Sequence, residues 1–254
     1  MKCDLLGVTV TPLSIEEIKE IIYNCILEKR QCIFGHHNMH SIYLYHRLEK
    51  MRYFYELADY ITIDGMPIIW VARCLGYQLN RRHRVTFTEI YHYLEFVSAY
   101  NLKIFYLGGR PEVVQKGIQE AKKMYPNVQL DAAHGYFDAT TGSRENTEVI
   151  NKINAYQPDI LFVGMGMPRQ EYWIADNYDK LDAGVIFTSG GVADYFAGVV
   201  TFPPRWMGKL GLYGLYRFFS EPRRLWKRYL IEPWFILFLF IKDLLRYKLR
   251  LGKG

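Results

Sequence analysis

The chain contains no apolar run long enough to cross a bilayer. Its longest, residues 234–241, is eight residues, with Glu232 and Lys242 close on either side, whereas a spanning helix needs about 20. A membrane span is therefore not expected. No basic start, apolar stretch and small-residue cleavage site opens the sequence. The four cysteines (Cys3, Cys25, Cys32, Cys74) form no CxxC pair. Together these absences favour a reducing, cytoplasmic setting. No GxxxxGK[ST] loop occurs, which excludes a P-loop. No Asp-x-Asp pair occurs either, so the usual carboxylate clamp for a divalent cation on a nucleotide diphosphate is missing. Internal repeats and low-complexity stretches are lacking. With 50% hydrophobic and 23% charged residues in 254, disorder, collagen and a minimal disulfide scaffold are excluded.

What is present is divided unevenly. Residues 1–202 carry 20 Lys and Arg against 23 Asp and Glu, net −3, while residues 203–254 carry 12 against 3, net +9. The first part alternates short β-branched and aromatic runs with helical patterns, the mark of parallel βαβ construction. Strands are expected over 32–34, 60–63, 103–107, 128–131, 160–163 and 185–188. A helix is expected over 111–125, with Pro111 and Glu112 at its start and Lys122 and Lys123 at its end. The fold class is α/β: a Rossmann-like, mostly parallel sheet flanked by helices in a catalytic domain over 1–202. A basic, aromatic, helical appendage follows over 203–254, its start marked by Pro203 and Pro204. Helices are expected there over 208–219 and over 222–251, the second interrupted near Pro233. Trp and Tyr beside Lys and Arg suit a helix lying at a membrane interface. The alternative is a core-packing helix with a solvated basic face.

Ligands of an open parallel sheet bind at the carboxyl ends of its strands, where backbone N–H groups and helix N-termini are free. Three expected strands end in glycine-bearing loops: Gly108-Gly109-Arg110-Pro111, Gly164-Met165-Gly166-Met167-Pro168-Arg169-Gln170-Glu171, and Ser189-Gly190-Gly191-Val192-Ala193-Asp194. Together they describe a nucleotide-sized cleft, although singly each is an ordinary turn device. Gly164-x-Gly166 begins a dinucleotide fingerprint, but position 169 is Arg and the loop comes late in the chain.

Asp64 ends the expected strand over 60–63. A carboxylate there can take a proton from an attacking hydroxyl; an Asp before Gly65-Met66-Pro67 is equally a helix N-cap. His36, His37 and His40 cluster with Asn38 between them. Only His36 and His40 share helical spacing, too few for a metal site, and polar lining of the cleft is the preferred reading. Arg205, Arg217, Arg223, Arg224 and Arg228 supply cations in the tail, and Arg217, Arg224 and Arg228 share one side if the chain between them is helical. Guanidinium forks suit a diphosphate leaving group; lipid headgroups would select the same residues.

A series of motifs runs through the chain in order. Ile63-Asp64-Gly65-Met66-Pro67, Leu107-Gly108-Gly109, Gly135-Tyr136-Phe137, Pro158-Asp159-Ile160 and the 164–173 loop come first. Gly190-Gly191 with Asp194, Pro204-Arg205-Trp206, Leu215-Tyr216-Arg217 and Glu221-Pro222-Arg223-Arg224 follow. Over roughly residues 1–230 this set resembles the WecG/TagA/CpsF glycosyltransferases, glycosyltransferase family 26. The resemblance implies an inverting, metal-independent transfer of a sugar (a hexose, N-acetylhexosamine or uronic-acid derivative) from a UDP-sugar to a polyprenyl-diphosphate-linked saccharide. It places the enzyme peripherally at the cytoplasmic membrane face, in the synthesis of teichoic acid, common antigen, capsule or exopolysaccharide. Carried over by position, Asp64 matches the general base, Asn38 an acceptor-side polar residue, and Gln170 a substrate-pocket residue. Asp194 matches a position near the uridine, and Arg217 and Arg224 match arginines that close over the diphosphate. His36, Arg84, Gly108, Gly109, Gly135, Tyr136, Gly164, Gly166, Gly191, Arg205, Arg223 and Arg228 complete the expected substrate-binding set. No cofactor and no nucleic acid is expected. The expected partners are the donor, the acceptor and an anionic membrane surface, and the sequence admits a homo-oligomer.

The chain departs from the family pattern at His36, where many members have Thr, over residues 84–89, and at 211–214, which bears on the sugar transferred and leaves Asp64 untouched. Two other classes are weighed beside this one. A nicotinamide-dependent nucleotide-sugar epimerase or dehydrogenase is opposed by the broken glycine fingerprint, and a non-catalytic membrane adaptor would show no Asp64-dependent UDP release.

Overall fold

In the computed structural model, residues 2–85, 90–199, 207 and 213–251 are described. Six parallel strands form the central sheet: β3 (Cys32–His37), β4 (Tyr60–Ile63), β5 (Lys103–Gly108), β6 (Gln129–Ala133), β7 (Ile160–Gly164) and β8 (Val185–Thr188), in the spatial order β4-β3-β8-β7-β5-β6. All six expected strands are present, β4 and β8 with the expected bounds. Near-continuous burial along β5, β7 and β8 is what a parallel sheet covered on both faces requires.

The pleat sends alternate residues to opposite layers. Phe34, Ile104, Tyr106, Phe162 and Phe187 face one core, which is closed by α1 (Ile15–Leu27), α5 (Ile90–Ala99), α6 (Pro111–Met124) and α9 (Val192–Phe196). Ile33, Phe105, Leu161, Val163 and Ile186 face a second, closed by α3 (Glu49–Leu57), α7 (Arg144–Tyr156) and α8 (Arg169–Asn177). Helix α6 follows expectation, with Pro111 at its first turn and Lys122 and Lys123 in its last.

A third core at the β4 edge has no counterpart in the sequence reading. It joins a hairpin of β1 (Cys3–Leu5) and β2 (Val8–Val10) to α2 (Met39–Arg47), α4 (Met66–Cys74) and the long last helix, α12 (Glu232–Leu251). Leu5 pairs with Val8 across a two-residue turn in which Leu6 and Gly7 both have positive φ (54° and 73°), the conformation that matches strand twist in a tight hairpin.

Two further expectations need correction. Cys25 of α1 and Cys32 of β3 are joined in a buried disulfide, which removes the cysteine argument for a reducing setting, and Cys3 and Cys74 are free. In the tail, α11 (Pro222–Leu230) and α12 span the expected 222–251 with the expected interruption, at Ile231, and α10 (Tyr213–Ser220) precedes them as a separate helix. The break precedes Pro233 because the proline sits in the first turn of α12, where its missing N–H costs nothing. The break at Glu221 removes the shared helical side expected for Arg217, since it lies on α10 while Arg224 and Arg228 lie on α11. Ile236 and Leu239 of α12 are buried in the third core, whereas Trp234, Leu237, Phe238, Ile241, Leu245 and Leu249 are exposed. The outward face therefore carries an apolar stripe beside the exposed Lys242, Arg246 and Lys248.

Candidate active site

β3 sends the chain to helices on one face, its neighbour β8 to α9 on the other. Such a divergence opens a crevice beyond the carboxyl ends of the strands. On the β3 and β4 side the crevice is furnished with side chains. Asp64 follows the last residue of β4, its N–H donating to the His37 carbonyl at 2.8 Å. It does not cap α4: Gly65 holds the N-cap position with φ 113°, and no side chain caps the helix. The half-buried Asp64 carboxylate instead accepts from Asn38 Nδ2 at 3.3 Å.

Asn38 is itself fixed as the N-cap of α2, its Oδ1 accepting from the Ser41 N–H at 3.0 Å while Ser41 Oγ accepts from the Asn38 N–H at 2.8 Å. This reciprocal capping determines which end of the amide faces Asp64, because the oxygen is already engaged.

The three histidines diverge, since His36 and His37 belong to β3 and only His40 is helical. His36 Nδ1 meets Thr188 Oγ1 of β8 at 2.9 Å. Burial lowers its pKa, Asp64 opposing and Arg228 of α11 reinforcing the shift. One imidazole thus senses both the strand-tip carboxylate and a cation of the tail. His37 is not a cleft residue, because it is fully buried, stacks on Tyr55 and is held down to about 3 by burial. His40 Nδ1 meets Glu232 Oε2 at 2.8 Å, tying α2 to the first residue of α12. Among the described residues no group of three or more His, Cys, Asp or Glu forms a potential metal site.

On the β5, β7 and β8 side the crevice is made of backbone. A Cβ on Gly108 would overlap the Gly164 carbonyl, and one on Gly164 would overlap both the Gly190 carbonyl and the Tyr106 hydroxyl. The three loops therefore stack directly on one another, and the Tyr106 hydroxyl, donating to Gly190 O at 3.0 Å, joins two of them. Gly135 joins through its N–H to Gly109 O at 2.9 Å. Next to it, Tyr136 is exposed. Asp194 sits on α9 close over Gly191.

Gln170 is 1% exposed and lies beneath the 164–168 loop: its Oε1 accepts from the Gly166 N–H at 3.2 Å and its Nε2 donates to Glu171 Oε1 at 2.8 Å. Arg84 is carried beside the end of β4 by an isolated parallel bridge to Ile63. Arg223 is exposed and Arg228 half-buried on α11. Arg205, and the side chains of Arg217 and Arg224, lie outside the described residues.

The structure adds Ser41, Tyr55, Thr188, Glu171 and Glu232, which sequence reasoning missed. Only Asn38-x-x-Ser41, a reciprocal cap spacing, could have pointed to any of them.

The sequence profile of the glycosyl transferase WecG/TagA/CpsF family matches residues 3–250. The chain belongs to that family. Family members in Staphylococcus aureus, strains MW2 and NCTC 8325, are 31% identical to it over 172 residues, 67% of this chain. They bear the name N-acetylglucosaminyldiphosphoundecaprenol N-acetyl-beta-D-mannosaminyltransferase. The matched stretch spans 63% of the length of each relative. Membership accords with the tail as well as the sheet, since the matched region runs through α10, α11 and most of α12. No helix among the described residues is long and apolar enough to cross a membrane.

Proposed function

We propose that the protein transfers a sugar, with inversion, from a UDP-sugar to a polyprenyl-diphosphate-linked saccharide. The observation that carries this reading is the meeting of Asp64, Asn38 and His36 at the ends of β3 and β4, across from the closely stacked glycine loops after β5, β7 and β8. In the reaction, an acceptor hydroxyl gives its proton to the Asp64 carboxylate as its oxygen bonds to the anomeric carbon from the face opposite the leaving group. The anomeric C–O bond to the diphosphate breaks, and UDP departs with the electron pair. General-base catalysis of this kind needs the carboxylate within hydrogen-bond reach of the hydroxyl, and the bond from Asn38 orients it.

The strand-end N–H groups receive the diphosphate, and Arg217, Arg224 and Arg228 complete its neutralisation, so the transfer proceeds without a metal. The relatives' names supply the substrate class for the acceptor, a lipid-linked N-acetylglucosaminyl diphosphate, and an N-acetylmannosaminyl group for transfer. The replacements at His36 and Arg84 bear on which sugars are sorted, while residues 86–89 of the second departure and 211–212 of the third lie outside the described residues.

The outward stripe of α12, with Trp226 and Leu230 of α11, docks the enzyme peripherally on the anionic cytoplasmic face of the membrane. An acceptor that stays in the lipid then reaches the crevice. Exposed apolar surface of this extent calls for a partner, and Lys242, Arg246 and Lys248 on the same helix suit anionic headgroups. The decisive experiment supplies a panel of UDP-sugars and a short-chain polyprenyl-diphosphate acceptor to the wild-type protein and to Asp64→Asn. The wild type yields one product by mass, and the variant loses transfer while still binding UDP; undiminished transfer by the variant removes Asp64 from the mechanism. Replacing Phe238 and Ile241 by Ser should release the protein from phosphatidylglycerol vesicles, and vesicle binding unchanged by both replacements would refute the docking face.

A further inference from the structure

The 164–168 loop is open from above at Gly166, where a Cβ would meet nothing within 4 Å. From below it is held by two consecutive residues of α8. Gln170 engages Gly166 twice, its backbone N–H donating to Gly166 O at 3.0 Å and its Oε1 accepting from the Gly166 N–H. The preceding Arg169 donates through Nη2 to Phe137 O at 2.6 Å, joining the loop to the turn after β6.

The two ends of a glutamine amide are nearly the same shape but opposite in hydrogen bonding. For Oε1 to face Gly166, the Nε2 end must find an acceptor in the interior. Glu171 is that acceptor. It is fully buried, its Oε1 receives Gln170 Nε2, and its Oε2 has no hydrogen-bond partner among the described residues. A buried charge with an empty acceptor is costly, and burial pushes this carboxyl up to about 7. The titratable group facing it from the neighbouring helix α3 is Tyr55, whose own pKa burial and the Glu171 charge both raise. The Tyr55 hydroxyl is engaged elsewhere, donating to the His36 carbonyl at 2.9 Å. Asn38 is arranged in the same manner on the other wall, its oxygen held by backbone and its nitrogen given to a carboxylate.

The geometry points to Glu171 as a positioning residue that fixes the orientation of the Gln170 amide and thereby the shape of the loop that receives the donor's diphosphate. The second half of this inference rests on the donor reading given above; the first does not. The test compares full-length Glu171→Gln, which keeps an acceptor oxygen without a titrating proton, with Glu171→Met, which keeps the bulk and removes the acceptor. Amide hydrogen exchange at Gly166, UDP affinity and the donor's KM and kcat are measured for each.

Glu171→Gln should stay within about twofold of wild type in all of these. Glu171→Met should exchange Gly166 at least tenfold faster and raise both the UDP Kd and the donor KM about tenfold, with kcat changed less. Wild-type Gly166 protection in Glu171→Met, or equal damage in both variants, overturns the proposal. Gln170→Met, which removes the amide itself, must reproduce the Glu171→Met pattern; wild-type exchange and UDP affinity in that variant overturn the proposal even where Glu171→Met fails to fold. If the wild-type protein binds no UDP, the donor reading fails, while Gly166 exchange still judges the positioning of the loop.

Discussion

The two halves of the sheet's carboxyl edge are built from different materials. Beyond β3 and β4 the crevice wall is side chain: Asn38, His36 and Asp64 hold fixed orientations through bonds to Ser41, to Thr188 and to one another. Beyond β5, β7 and β8 it is backbone, with three glycine loops in direct contact. A side-chain wall can hold and move a proton at a defined atom, while a backbone wall presents N–H dipoles to an anion at close range. On the proposed mechanism, proton chemistry and leaving-group stabilisation fall on opposite sides of one opening, and each is to be broken without the other.

The largest effect is expected on the side-chain wall. Asp64→Asn should reduce transfer by roughly 10²- to 10⁴-fold, the range for loss of a general base, with UDP binding by calorimetry unchanged. On the backbone wall, Gly164→Ala forces a methyl into the Gly190 carbonyl and the Tyr106 hydroxyl. It should lower unfolding free energy by about 3 kcal/mol, at the upper end for overpacking, and abolish UDP binding. A Gly164→Ala protein that binds UDP normally would show that the close stacking of the loops is incidental.

The support beneath that wall is probed by pH. Glu171 titrates at about 7 in the folded protein, against about 4.3 in an unfolded chain. Between these values the native state keeps a proton that the unfolded state has given up, so this group makes stability fall as pH rises through the window and remain lower above it. Glu171→Gln lacks this dependence, and relative to wild type its unfolding free energy from urea titrations should gain about 3 kcal/mol between pH 4 and pH 8. A constant difference between the two proteins would contradict a titration of Glu171 raised by burial.

The smallest change is Asn38→Ala. Losing the cap should cost about 1 kcal/mol in stability, and losing the bond to Asp64 should cut transfer roughly tenfold. Asn38→Ser, which restores a capping oxygen but not the amide, should recover the stability alone. This separates the capping of α2 from the holding of Asp64.

The sequence was most legible where burial is two-sided. Val185–Thr188, buried along its whole length, shows its bounds directly between Gly184 and Ser189, and the edge strand Tyr60–Ile63 shows its own through Asp59 and Asp64 on either side. The N-terminal hairpin escaped notice because its strands are three residues each and its turn places Leu6, a residue without special turn chemistry, at positive φ. Asp64 was found by its place at a strand end, yet whether it capped a helix was undecidable from spacing; the structure resolves this by giving the cap to Gly65.

By itself, then, the sequence determined the parallel α/β body, the carboxyl-edge loops, the basic aromatic tail and, through its motifs, the family. Those properties are carried by local periodicity and by residue types that only certain backbones tolerate. Tertiary structure alone decided the sheet order, the pairing of Cys25 with Cys32, the burial of His37 and the meeting of His40 with Glu232, 192 residues away. It also decided which face of α12 is covered. Each of these depends on contacts between distant segments, whose partners no local pattern names.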